Sequence, residues 1–258
     1  MKTISNKGKE KITHSLDMNG DGVIDSTDII IIALKLPGVR IIRDSFLQIE
    51  LEKYCKQNDV ELAIENNPIR AGIDSEIIDQ ITDDVIQSER KAVSGISAAL
   101  GITGGIAMAA TLPADIAQYY GYMLRVAQKL LYLYGFPELE ISEDGENLDS
   151  VTINTLTLCL GTMYGVENAE TMLKSIAKAI ASGVKKIDLE KTVINEAINP
   201  VVESIERWFG TRMTKEVFAG FFKKEIPIVG GAIGGGITYV TFKQCCDRLK
   251  DALKQSRP

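Results

Sequence analysis

The chain has 258 residues, enough for one large domain or a domain with a small appendage. Hydrophobic residues make up 45% of the chain and charged residues 25%, which excludes a disordered or collagen-like protein. A formal net charge of -6 argues against bulk attraction to nucleic acid, and the single histidine, His14, removes most histidine-based nucleophile and zinc chemistry.

The first residues, 1–14, are polar and charged and lack the apolar core of a signal peptide. The cysteines have no spacing that indicates a disulfide framework or a zinc site, since Cys55 and Cys159 are isolated and Cys245 is adjacent to Cys246. We therefore expect reduced thiols and a cytoplasmic protein.

Residues 17–28 read DMNGDGVIDSTD and have the spacing of an EF-hand calcium loop. Ca²⁺ is a hard cation that takes 6–8 oxygen ligands, and Gly22 lies where such a loop turns sharply. The sequence therefore predicts a Ca²⁺ site, the alternative being a solvated acidic turn. Its ligands, at loop positions one, three, five, seven, nine and twelve, would be Asp17, Asn19, Asp21, the carbonyl of Val23, Asp25 and Asp28.

The loop resembles those of EF-hand and dockerin proteins, and the run NGDG followed by STDI is especially similar to the dockerin version. Asp28 replaces the usual EF-hand glutamate, and only one loop is present. A single loop favours a structural clamp over a sensor, with an effect on local stability more than on the global fold.

The rest of the chain predicts an all-α fold, because apolar residues recur at helical spacing and alternating strands are scarce. One face of a helix, which Asp74 or Ser75 would cap, is formed by Ile77, Ile78, Ile81 and Val85. An acidic loop is expected over 138–147. Further helices are predicted over 114–134 (opened by Pro113 and stopped by Gly135 and Pro137), 151–164 (capped from within 147–150 and broken by Gly165), 166–181, 189–209 and 215–224.

Two stretches, 92–114 and 226–242, carry no charged residue. We call them the first and second uncharged stretch. Both have small residues at every fourth position, which let helix backbones approach closely. They predict two central glycine-rich helical segments, a glycine zipper, that form either a buried helix pair or a membrane-inserting hairpin. The small residues are Gly101, Gly105 and Ala109 in the first stretch, and Gly230, Gly231, Ala232, Gly234, Gly235 and Gly236 in the second.

Basic and aromatic residues flank these stretches, as at a membrane interface or at an ordinary core edge. The basic ones are Arg90, Lys91, Lys223, Lys224 and Lys243, and the aromatic ones are Trp208, Phe209, Phe218, Phe221 and Phe222. Two polar stripes are predicted either to face solvent or to meet lipid headgroups or a partner. One consists of Asp115, Gln118, Arg125 and Lys129, and the other of Lys174, Lys178, Lys185 and Lys186.

Residues 73–253 resemble the EcsC family. The shared features are an apolar stretch with two adjacent glycines, a Pro and an Asp that open a helix ending in Tyr-Gly, and, much later in the chain, the sequence IPIVGGAIGG. The positions that match are Gly104, Gly105, Pro113, Asp115, Tyr134, Gly135, Ile226, Pro227, Val229, Gly230, Gly234 and Gly235. The chain is also similar to the senescence/spartin domain group, which is linked to lipid binding. The resemblance implies a membrane-associated, non-enzymatic protein.

We expect three segments: an EF-hand-like calcium-binding segment over 1–38, a helical connector over 39–72 and an EcsC-like helical domain over 73–258. No phosphate-binding loop or nucleophile elbow is present, so an enzyme is not expected. The function predicted is that of a membrane- or lipid-associated calcium-binding protein, peripheral to or inserted in a membrane, with a membrane lipid or membrane protein as partner. The alternative is a soluble helical module that regulates a transporter or another partner protein.

Overall fold

The computed structural model describes residues 25–102, 108–142, 148–182, 184, 188, 194–212 and 235–257. Within the helices, side chains are described for residues 26–94, 118–181, 198–209 and 239–254. The described residues confirm the all-α prediction, since their only extended pairing is an isolated antiparallel bridge between Ile141 and Leu148. The helices are α1 (Ser26–Leu34), α2 (Arg43–Leu51), α3 (Gln57–Glu65), α4 (Ser75–Ile102), α5 (Met108–Leu133), α6 (Ser150–Tyr164), α7 (Ala169–Ala181), α8 (Ile194–Arg212) and α9 (Gly235–Lys254).

Helix α6 is the central helix and contacts α1, α5, α7, α8 and α9. Every residue from Thr155 to Tyr164 is buried, as expected for a helix that is surrounded by others. The predicted caps are confirmed: the Asp149 carboxylate accepts a hydrogen bond from the Thr152 amide at 2.8 Å, and Gly165 ends the helix at a φ of 68°.

Helix α1 belongs to the same hydrophobic core as the long helices. It packs against α5, α6 and α8 and buries Ile29, Ile30, Ala33 and Leu34. The part of the 1–38 segment that the structure describes is therefore not a separate appendage.

Helix α4 runs antiparallel to both α5 and α9. Against α9, Asp79 pairs with Lys254 at 2.7 Å and, one turn further along α4, Asp83 pairs with Lys250 at 2.6 Å. Arg90 continues this order by donating to the carbonyl of Tyr239 at 2.7 Å. The predicted apolar face of α4 is confirmed, since Ile78, Ile81 and Val85 are buried and the partly buried Ile77 packs against the core.

Several predicted boundaries need correction. Helix α5 begins at Met108, earlier than predicted, and includes Pro113, which has no N–H group to donate to an intrahelical hydrogen bond. Helix α7 begins at Ala169 because Asn168 has a left-handed backbone conformation. The helix predicted over 189–209 is confirmed from Ile194 onward and continues to Arg212, whereas the one predicted over 215–224 lies outside the described residues.

Candidate functional site

The last part of the predicted calcium loop forms the start of α1. The Asp25 carboxylate accepts hydrogen bonds from the amides of Thr27, at 2.7 Å, and Asp28, at 3.4 Å. The Asp28 carboxylate accepts one in return from the Asp25 amide at 3.0 Å. This reciprocal capping box holds two of the six predicted ligands at one helix end, where the helix dipole also favours negative charge.

The two carboxylates fit a hard cation by their chemistry, because they are oxygen donors held close together on a rigid helix start. The other four predicted ligands, Asp17, Asn19, Asp21 and Val23, lie outside the described residues. No group of three or more His, Cys, Asp or Glu side chains that could hold a metal occurs in the part of the chain that is described. That finding does not test the loop, and the Ca²⁺ site stays a prediction.

The described parts of the two uncharged stretches lie at one end of the bundle. They are residues 92–102 in α4, 108–114 in α5 and 235–242 in α9, and we call them together the uncharged end. They meet there because α4 runs toward this end while α5 and α9 begin at it. Most of the small residues predicted to form the zipper, and the 226–234 part of the second stretch, lie outside the described residues.

Basic residues lie on α4 and α9 where the uncharged end begins. Arg90 stacks over the ring of Tyr239, 3.3 Å from its centroid, so its cation is held between the two helices. Lys91 and Lys243 are exposed, and Lys243 also pairs with Asp247 at 2.5 Å. Lys223 and Lys224 lie outside the described residues.

The predicted polar stripe on α5 is largely an ion-pair network with α4. Glu89, whose side chain is 4% exposed, accepts hydrogen bonds from Arg125 at 2.8 Å and from Lys129 at 2.6 Å. Burial opposes the ionisation of Glu89, but hydrogen bonds from Arg125 and the charge of Lys129 outweigh it and hold its pKa below its ordinary value. Sequence spacing could not reveal this network, since Glu89 precedes its partners by 36 and 40 residues.

The network forms one wall of a cleft of about 510 Å³ between α4, α5 and the loop that follows α1. Arg125 also donates to the carbonyl of Gly38 in this loop. Gly121 lets the loop approach α5, because a Cβ atom there would lie 3.0 Å from the Val39 side chain. The cleft is lined by Leu36, Pro37, Val39, Ser88, Glu89, Ala92, Gln118, Gly121, Tyr122 and Arg125.

The second predicted stripe is described only in part. Lys174 pairs with Glu170 and donates to Gln255 of the C-terminal segment at 2.6 Å, and Lys178 is exposed. Lys185 and Lys186 lie outside the described residues, as does the side chain of Asp115 in the first stripe.

The four cysteines are free thiols, as expected. Cys159, Cys245 and Cys246 are buried, and burial raises the pKa of Cys159 and Cys246. Cys55 is half-buried, and its pKa is raised by burial and by the nearby charge of Asp59. The pKa values of Cys55, Cys159 and Cys246 are therefore shifted in the direction opposite to that of a reactive cysteine.

No family model, curated protein or solved structure matches the chain. The resemblance to the EcsC family therefore stays a prediction. Within the ranges that the structure describes, no helix is both long and apolar enough to cross a membrane.

Proposed function

We propose that this protein is a non-enzymatic, calcium-binding helical protein of the EcsC type that associates peripherally with a cytoplasmic membrane surface. The observation that carries the proposal is the convergence of both uncharged stretches at one end of the bundle. Two separate apolar patches would each bury little area in a lipid phase, whereas one shared end can enter it as a unit.

The length of the uncharged end favours shallow insertion over crossing. Helix α4 has eleven uncharged residues between Lys91 and its end at Ile102. At 1.5 Å per residue they extend about 16 Å. The hydrocarbon core of a bilayer is about 30 Å thick, so this helix end would reach through roughly one leaflet.

The basic residues at the base of the uncharged end support the same orientation. Arg90, Lys91 and Lys243 would lie at headgroup level when the end is immersed. Each basic residue near an anionic surface contributes about 1 kcal/mol. The net charge of -6 opposes long-range attraction, so apolar burial has to supply most of the binding free energy.

Ca²⁺ would be held by the six ligands of the 17–28 loop, of which Asp25 and Asp28 also cap α1. The ion would neutralise the excess of carboxylates there and tie the loop to a core helix. We propose a structural role for it, because the loop is single and its exiting helix is buried.

A specific observation supports the alternative function. Val93 is 2% exposed and Phe242 is fully buried, so the described margins of both stretches have side chains packed in the protein core. A bundle that keeps the remaining apolar residues equally covered would act as a soluble helical module on a partner protein, such as a transporter.

Flotation with liposomes distinguishes the two functions. Wild-type protein should rise with anionic vesicles, and Lys91→Glu combined with Lys243→Glu should reduce the floating fraction several-fold. Lys53→Glu combined with Lys56→Glu is the matched control, because both lysines are exposed on the α2–α3 connection and the net charge changes equally. Protein that stays at the bottom with every lipid composition, with and without Ca²⁺, would overturn the membrane proposal in favour of the soluble module.

A further inference from the structure

The cleft beside Glu89 combines one partly exposed cation with apolar walls. In the ion-pair network the carboxylate is hidden, with a 4% exposed side chain, while the Arg125 side chain is 28% exposed. The network of one carboxylate and two cations has a net charge of +1. Lys129 does not line the cleft, so the cation that the cleft presents to solvent is the guanidinium of Arg125.

Arg125, which lines the cleft, retains hydrogen-bonding capacity. Its Nε and Nη2 atoms donate to Glu89, and its Nη1 atom donates to the carbonyl of Gly38. A guanidinium has five N–H groups, so two are not used by these bonds to described residues. They are held in a fixed orientation, because the other three anchor the guanidinium to α4 and to the loop.

The rest of the lining suits an amphiphile. Leu36, Pro37, Val39 and Ala92 supply apolar surface, while Ser88 and Gln118 can donate hydrogen bonds. The volume of about 510 Å³ is within the usual range for small-molecule sites. Ala92 is also the first residue of the uncharged end, so the cleft lies at the level proposed for lipid headgroups.

From these observations we infer that the cleft binds the anionic phosphate headgroup of a lipid, with Arg125 contacting the phosphate and the apolar lining contacting the start of the acyl chains. This inference rests on the proposed membrane association and names its partner. A guanidinium of fixed geometry binds phosphate, and the apolar surface beside it favours a phosphate attached to acyl chains rather than a free phosphate.

The test uses the full chain and a water-soluble, short-chain phosphatidic acid below its micelle concentration, measured by titration calorimetry. Binding to wild-type protein should weaken at least tenfold in Ser88→Glu, which adds a negative charge to the cleft. Gln87→Glu is the matched control: it makes the same charge change at the neighbouring exposed position of α4, which does not line the cleft, and should alter affinity less than twofold. Both substitutions are at exposed positions, and equal unfolding midpoints would confirm that the variants are folded.

Three results would overturn the inference: no binding of the soluble lipid, equal weakening by both substitutions, or inorganic phosphate binding as tightly as the lipid. Failure of the cleft is distinguishable from failure of the proposed function, because the soluble lipid needs no bilayer. A protein that floats with vesicles but does not bind the soluble lipid retains the membrane function and loses the cleft. One that binds the soluble lipid but does not float retains the cleft alone.

Discussion

Replacing Glu89 with glutamine tests whether the α4–α5 ion-pair network stabilises the fold. Glutamine keeps the shape of the side chain but removes the charge that holds Arg125 and Lys129. Removing one partner of a fully buried ion pair costs about 3–5 kcal/mol. Because Arg125 is 28% and Lys129 15% exposed, water can partly solvate both cations, and we expect a loss of about 2–4 kcal/mol at neutral pH.

The pH dependence makes this prediction specific. The pKa of Glu89 in the folded protein lies below its ordinary value. The carboxylate therefore stabilises the fold above the unfolded-state pKa, and this contribution is lost as the pH falls through the folded-state pKa. Glutamine resembles the protonated acid, so the gap in stability between wild type and Glu89→Gln should shrink as the pH is lowered from 7 toward 3.

Urea denaturation of both proteins across this pH range measures the gap. Glu61→Gln is a suitable control, since Glu61 is exposed on α3 and the net charge changes equally. A gap below about 0.5 kcal/mol at pH 7, or a gap that stays constant with pH, would refute the reasoning about this network.

Three further predictions concern the core, the thiols and calcium. Gly161→Val should lower the free energy of unfolding by about 1–3 kcal/mol, since even a Cβ atom there would lie 2.5 Å from the buried Ile205 side chain; an unchanged denaturation midpoint would contradict this. With a thiol reagent such as Ellman's, we expect at most Cys55 to react in the native protein and all four cysteines to react in denaturant. Rapid reaction of two or more thiols in the native protein would show that the core is open. Free Ca²⁺ at 100-fold over its Kd should stabilise the whole protein by about 2.7 kcal/mol, because the loop leads into a core helix. Asp17→Ala with Asp21→Ala should abolish that gain, and a gain that persists would place the ion elsewhere.

The packing of α1 alters the effect expected of calcium. From the sequence, the loop lies outside the EcsC-like region, and a local effect was the natural expectation. The burial of α1 against α5, α6 and α8 makes a global effect the better prediction, because an ion bound by residues of a core helix stabilises the folded state in which that helix is packed.

Local features of this protein could be predicted from the sequence because their causes lie within a few residues. The buried face of α4 follows from the spacing of Ile78, Ile81 and Val85, and the ends of α6 follow from the cap at Asp149 and the glycine at 165. The same short-range chemistry predicted the all-α class. Boundaries were less predictable where a residue typical of helix starts lies inside a helix, as Pro113 does within α5.

The tertiary structure alone decided which distant groups meet. Arg125 and Lys129 have the spacing of a solvated stripe, and only the packing of α4 on α5 provides them with Glu89. The convergence of the uncharged stretches and the cleft beside Arg125 likewise depend on the order and direction of three helices. Residues far apart in the chain are brought together by long-range packing, and periodicity within a single helix carries no information about which partner its polar side chains will find.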